Sequence, residues 1–131
     1  MNTITKVYKV GKFQSQKIEE VFVFDTPNKQ QHYLMKAVVE DGGLLELYGK
    51  IKVMQTAVGT DTFLRQRVLL LGEKSRAVVV PELEIQTNEV KAGHAASIGR
   101  IDEEQLFYLM SRGLSKSEAT KLLVKAFLDE S

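Results

Sequence analysis

A mainly β chain closed by a pair of α-helices is what this sequence predicts. Three observations carry that reading. Apolar residues recur with period two over most of residues 4–99, polar turn signals interrupt that region at short intervals, and at Arg100 the spacing changes abruptly to a helical one. No helical stretch separates the extended segments, which argues against ordinary parallel β/α architecture. A meander, a barrel and a β-solenoid stay open. Turn signals at Gly43, Gly59, Gly72 and Asn88 are spaced 13 to 16 residues apart, so no strict short repeat is present.

Val21–Phe24 reads as a short strand ending at Asp25-Thr26-Pro27-Asn28, and His32–Val39 as a further apolar stretch. Leu45, Leu47, Gly49, Ile51 and Val53 then share one face, with Glu46, Tyr48, Lys50 and Lys52 on the other. Asp41-Gly42-Gly43 before them is a turn signal, because glycine accepts positive φ at no steric cost. Phe63–Leu71 becomes continuously apolar at its end. Ala77–Val80 runs into Pro81, which cannot donate to a ladder and marks a strand end, an edge or a corner. Glu82–Ile85 resumes the alternation. Val90, Ala92, His94, Ala96 and Ile98 share one parity in a last segment dominated by small residues.

The helical region opens at Asp102, a good N-cap with Gln105 three residues on. Leu106, Phe107, Leu109 and Met110 form its apolar stripe, and Gly113 fits the position just past the helix end. Ser115 caps a second helix, with Glu118 placed for a capping box. Ala119, Leu122, Leu123, Ala126 and Phe127 follow helical spacing. Short helices are marginal alone, so these stripes are expected to pack on each other and on the end of the β region. The expected parts are a β core at 1–99 and a helical subdomain at 100–131.

Composition narrows the function. With 131 residues the chain suits one compact domain; it has no cysteine, hence no disulfide framework, thiolate metal site or cysteine nucleophile. Its 18 basic and 17 acidic residues give a net charge of +1, with no field to attract nucleic acid. Its apolar runs are too short to span a membrane, and the first residues lack a signal-peptide pattern, so a cytoplasmic setting is expected. Gly72-Glu73-Lys74-Ser75 fails as a phosphate loop, since a carboxylate at position 73 would repel the phosphate that the amides must wrap.

Two histidines remain. His32 reads as an edge-strand surface residue. His94 sits among Ala92, Gly93, Ala95, Ala96 and Ser97, too small to shield it from a partner or an ion, yet its parity also fits an inward core histidine. Ser97 beside His94 offers the one local nucleophile–base pair for a hydrolase, without the strand–turn–helix elbow such a serine needs. No enzyme is expected. Tyr108 and Arg112, spaced i, i+4, project away from Leu106 and Met110, while Val124 and Leu128 lie off the Leu122/Phe127 face. These four read either as scattered surface or as a partner-docking patch.

Several of these segments, in this order, resemble the C-terminal part of the SufB/SufD family, the scaffold subunits of the Suf iron–sulfur assembly machine. Gly49-Lys50-Ile51-Lys52-Val53, Thr60-Asp61, Leu69-Leu70-Leu71 and Pro81-Glu82-Leu83-Glu84-Ile85 look like later rungs of the family's β-helix. Val90-Lys91, His94 and Ile98-Gly99 look like its closing strand. Asp102–Tyr108, Ser111-Arg112-Gly113, Glu118-Ala119 and Ala126-Phe127 look like its helical domain. The resemblance covers about residues 44 to 128.

What it implies is a short, flattened right-handed parallel β-helix followed by an αα-hairpin. It implies a non-catalytic, SufD-like subunit that pairs through its last strands with a SufB-like subunit or with itself, and docks a SufC-like ABC-type ATPase through its helices. His94 matches a position that in D-type members contacts iron or the nascent cluster at the subunit interface. Without cysteine, any such cluster is transient and takes its thiolates from a partner; no cofactor is expected to be bound tightly. Ala92-Gly93-His94-Ala95 departs from a family pattern that often reads Cys-x-His-Gly. A homo-oligomeric β-solenoid module with no cluster role is the alternative.

Overall fold

The computed structural model describes residues 2–130, so Met1 and Ser131, the outermost residues of the two expected parts, lie outside it. Seven strands come first: β1 Thr3–Val10, β2 Ser15–Phe24, β3 Gln30–Val39, β4 Leu44–Val53, β5 Thr60–Leu70, β6 Arg76–Ile85 and β7 Val90–Arg100. Helices α1 Glu103–Ser111 and α2 Lys116–Asp129 follow. Odd strands form one sheet in the order β1-β3-β5-β7 and even strands a second in the order β2-β4-β6. All five strand pairings are parallel. The chain therefore alternates between two sheets and climbs one strand per circuit, which is a flattened β-solenoid of about three turns.

Register explains why no short repeat shows in the sequence. Thr3 pairs with His32, Gln30 with Asp61 and Thr60 with Val90, so a full turn takes about thirty residues. The irregular intervals between turn signals are half-turns, each free to vary in the loop. Within each pair the register runs without a slip, so side chains stack rung upon rung in fixed rows.

The inward rows make the core. Leu45, Leu47, Ile51 and Val53 of β4 face Met35, Ala37 and Val39 of β3 and Leu64 and Val68 of β5, all buried. Gly49 belongs to the same row for a packing reason: a Cβ there would stand 2.9 Å from Leu64 Cδ2 and Met35 Sδ and 3.0 Å from Gln66 Nε2. Pro81 lies within β6, paired with Gly49 on the edge strand of the even sheet, where a missing amide donor is tolerated.

The two ends of the solenoid differ. In the first turn Val10, Ile18, Phe22 and Phe24 are buried, and Phe22 stacks on Tyr33 with ring centroids 3.9 Å apart. A polar bridge spans the sheets there: Lys6 Nζ donates to Glu20 Oε2 at 3.0 Å and Tyr8 OH to Glu20 Oε1 at 2.9 Å. In the last turn the inward row is open, with Ile98 47% and Ile85 40% exposed, and Ile4 at the start of the first turn is exposed to a similar degree.

Both helix starts form as the sequence predicts. Asp102 accepts from the amides of Glu104 and Gln105, and Ser115 and Glu118 complete a capping box. Gly113, at φ 105°, lets the Leu114 amide reach the carbonyl of Leu109 and its own amide that of Met110, a Schellman ending. The apolar stripes pack differently from expectation. Leu106 and Ala119 are buried, but Phe107 is 74% exposed and Met110 and Leu122 are largely exposed too. The hairpin lies flat on the outer face of the odd sheet and gives each helix one thin buried line rather than a broad stripe.

Candidate interaction surfaces

Strand β7 ends the odd sheet, so one edge of its backbone has no neighbouring strand in this chain. Its partner β5 fixes which way each side chain points. Thr62, Leu64, Gln66 and Val68 are buried inward residues, and they align with Ala92, His94, Ala96 and Ile98. Gly93 and Ala95 belong to the outward row, opposite Phe63 and Arg65. A Cβ at Gly93 would meet the Phe63 ring at 3.0 Å, so the small residue there gives room for that ring.

His94 thus has inward parity but is not a buried core histidine. It stacks above fully buried Leu64 and is itself exposed, because β7 is the last strand and the even sheet has already ended at β6. Beneath its small neighbours lie two buried oxygens, Thr62 Oγ1 and Gln66 Oε1, with no hydrogen-bond partner among the described residues. These are the residues aligned with Ala92 and Ala96, on either side of His94.

Ser97 is three residues from His94 in a strand with unbroken register, so the two side chains leave opposite faces. That separation removes the serine–histidine hydrolase reading, which needs both groups within hydrogen-bond reach. His32 is not on an edge either: β3 lies between β1 and β5. The imidazole is half-buried on the outer face, with Nε2 3.5 Å from Asp61 Oδ1 and its ring 6.2 Å from that of Phe63. Among the described residues no group of three or more His, Cys, Asp or Glu side chains could hold a metal ion.

On the hairpin, Tyr108 and Arg112 stand together in solvent, the guanidinium 5.7 Å from the ring centroid. Tyr108, Leu109, Leu122, Leu123 and Ala126 line a shallow crease of about 560 Å³ between the helices. Val124 and Leu128 do not share that outer surface. They are half-buried and line a larger groove between α2 and the odd sheet, together with Val7, Val38 and Leu71. The expectation that they project outward is corrected: the inner face of α2 is the Val124/Leu128 side, because the helix lies on the sheet rather than beside its end.

Lys36, which no sequence motif singles out, joins the two parts. Fully buried, it projects from the outer row of β3 and donates to the carbonyls of Phe127 at 2.7 Å and Leu128 at 3.2 Å, and also to that of Glu130. Burial pulls its ammonium below the ordinary lysine pKa, and Arg67 nearby adds to this, while Glu130 and Asp129 act in the opposite sense. Arg67 pairs with Glu130 at 2.7 Å. Both cations lie over the Phe127 ring, 5.4 and 5.2 Å from its centroid. The one signal in the sequence is a lysine inside the apolar run Leu34–Val39.

Comparison with known proteins follows the same lines. Residues 2–127 match the family model described as SUF system FeS cluster assembly, SufBD core domain. The match extends upstream of the segments that carried the resemblance. The chain is 40% identical over 97 residues to the iron–sulfur cluster assembly protein SufD of Escherichia coli, covering 74% of this chain and 23% of that protein. It is 36% identical over 125 residues to SufD of Bacillus subtilis, covering 95% and 29%. An iron–sulfur cluster assembly SufBD family protein of Mycobacterium bovis is 49% identical over 83 residues, covering 63% and 21%. The chain spans about a quarter of the length of these relatives.

Proposed function

The chain belongs to the SufB/SufD family, and from that premise we propose that it is a non-catalytic, SufD-like subunit of a Suf-type iron–sulfur cluster assembly complex, working in the cytoplasm. In this reading residues 1–99 form the pairing part and residues 100–131 the docking part. The last turn of the solenoid, with the edge of β7 and the open row Ala92, His94, Ala96 and Ile98, pairs with a SufB-like subunit. The hairpin docks a SufC-like ABC-type ATPase through Tyr108, Arg112 and the crease beside them.

The observation that carries the reading is the open last turn of the solenoid, where β7 pairs on one side only and carries small residues around His94. A sheet edge flanked by unburied Ile85 and Ile98 gains from being covered, at about 25 cal/mol per Å² of apolar surface. Exposed Ile4, Val7, Val21 and Val23 leave apolar surface on the first turn as well, but there the Lys6–Glu20–Tyr8 bridge closes the row between the sheets. The small residues around His94 let another backbone approach closely. His94 alone is a poor site for iron, so a cluster passing through this interface would need its other ligands from the partner. The iron or cluster is cargo in this scheme.

The same open end favours a second reading, a homo-oligomeric solenoid module with no cluster role, since a second copy of β7 could cover it. The two are separated by mixing the purified chain with SufB-like and SufC-like proteins and measuring mass by light scattering. The first reading predicts a mixed complex that Ile98→Glu disrupts. A homodimer that ignores both proteins favours the second. In the mixed complex, Tyr108→Ala/Arg112→Ala is expected to weaken ATPase binding at least tenfold; wild-type affinity would remove these two residues from the docking surface.

A further inference from the structure

The two helices end in different ways. The α1 carbonyls are satisfied locally by the Gly113 Schellman motif. Helix α2 has no glycine to end on, and it finishes on Asp129 and Glu130 with no basic residue in its last turn. The C-terminal end of a helix carries partial negative charge, and its last carbonyls lack intrahelical partners. Lys125 pairs with Asp129 at 2.8 Å from one turn back, but by its own sequence α2 still ends with Glu130 at the negative pole and with carbonyls in want of donors.

The sheet supplies what α2 lacks. Lys36 is held by its neighbours in β3 and brings three donors and a positive charge to that pole, meeting the carbonyls of Phe127, Leu128 and Glu130. An ammonium has three N–H groups and a neutral amine has two, so three carbonyl acceptors match the charged form. Arg67 of β5 takes the Glu130 carboxylate, and both cations cover the Phe127 ring. The charged groups facing Lys36 are thus Arg67 from the sheet and Asp129 and Glu130 from the helix end.

We propose that Lys36 is a positioning residue: by capping α2 from strand β3 it fixes the bearing of the helical hairpin on the solenoid. The remaining attachments are thin. Of the hairpin's own side chains Leu106 and Ala119 are buried; Leu34 and Val38 beside Lys36 are buried beneath it, while Val124 and Leu128 stay half-buried and Val7 exposed along the groove. Without the cap, α2 has little to stop it from fraying at its end and tilting about the short link at Ile101-Asp102. That a fixed hairpin then presents its outer crease to an ATPase rests on the function proposed above; the cap itself does not.

Hydrogen–deuterium exchange on the full chain tests this with Lys36→Met and Lys36→Arg beside the wild type. Methionine keeps the length and apolar stem and removes charge and donors. Expected are at least tenfold faster exchange across residues 120–130 in Lys36→Met, strand amides of β3 to β5 within twofold of wild type, and partial rescue in Lys36→Arg. Unchanged α2 exchange in Lys36→Met with intact strands overturns the proposal. Should Lys36→Met unfold, the wild type alone decides: nuclear Overhauser contacts between Lys36 Hε and the Phe127 and Leu128 backbone are expected, and their absence overturns it. If α2 loosens as expected but the wild-type chain binds no SufC-type ATPase, the cap stands and the docking reading fails.

Discussion

Lys36 Nζ lies 2.7 Å from the carbonyl oxygen of Phe127, 91 residues further along the chain, so a strand side chain ends a helix. Hydrogen bonds from a charged donor contribute roughly 1.5–3 kcal/mol each when buried partners would otherwise be orphaned. Part of that is offset here by the cost of burying an ammonium. Lys36→Met is therefore expected to lower unfolding free energy by about 1–3 kcal/mol in urea titration. Arg67→Ala, which removes a more exposed pair with Glu130, should cost less than about 1 kcal/mol.

Gly49→Ala probes the packing of the inward row. The added methyl would meet Leu64, Met35 and Gln66 together, each within 3.0 Å, from two different strands. These are flexible side-chain ends, so the core yields rather than breaks, and a loss of about 1–2 kcal/mol is expected in the same titration. A neutral or stabilising result would mean the two sheets stand further apart than described.

That row also shows how far the chain's own pattern reaches. The alternation from Leu45 to Val53 identifies its buried face, because period two follows directly from the strand backbone. The caps at Asp102, Ser115 and Gly113 are equally legible, since each depends on local chemistry within a few residues. The solenoid path is not: residues one rung apart are about thirty residues distant, and only the family resemblance selects it over a meander or barrel. The exposure of His94 is undecidable from its pattern for a related reason. Its parity is inward, but exposure depends on the even sheet stopping one strand earlier. For Val124 and Leu128 the pattern points to the wrong side, because helical spacing defines faces without saying which one meets the sheet.

Acid should weaken the first turn. Glu20 has its pKa held below the ordinary 4.5, chiefly by the hydrogen bond from Lys6, with a further contribution from Tyr8 and burial opposing. A carboxylate depressed on folding stabilises the native state fully above its unfolded pKa. That contribution is lost as pH falls through the lower, folded value. Wild-type stability measured from pH 6 downward should therefore drop below about pH 4.5. Glu20→Gln should start lower and show a shallower acid limb. Equal slopes would mean that the Lys6–Glu20–Tyr8 bridge does not form in solution.

The α2 capping box gives a control for the hairpin. Ser115→Ala removes the acceptor for the Glu118 amide and should cost about 1 kcal/mol, the usual worth of an N-cap. Faster exchange should then concentrate in residues 116–120, the opposite end from Lys36. Loosening of the whole helix instead would show that α2 holds or releases as one unit.

The most direct measurement is native mass spectrometry of the tagged chain captured from its own cells at endogenous level. The account predicts a particle containing an ABC-type ATPase and a second solenoid subunit, and its loss when Ile98 is replaced by glutamate. Recovery of the chain alone, or only with copies of itself, would contradict a place for it in a cluster-assembly complex.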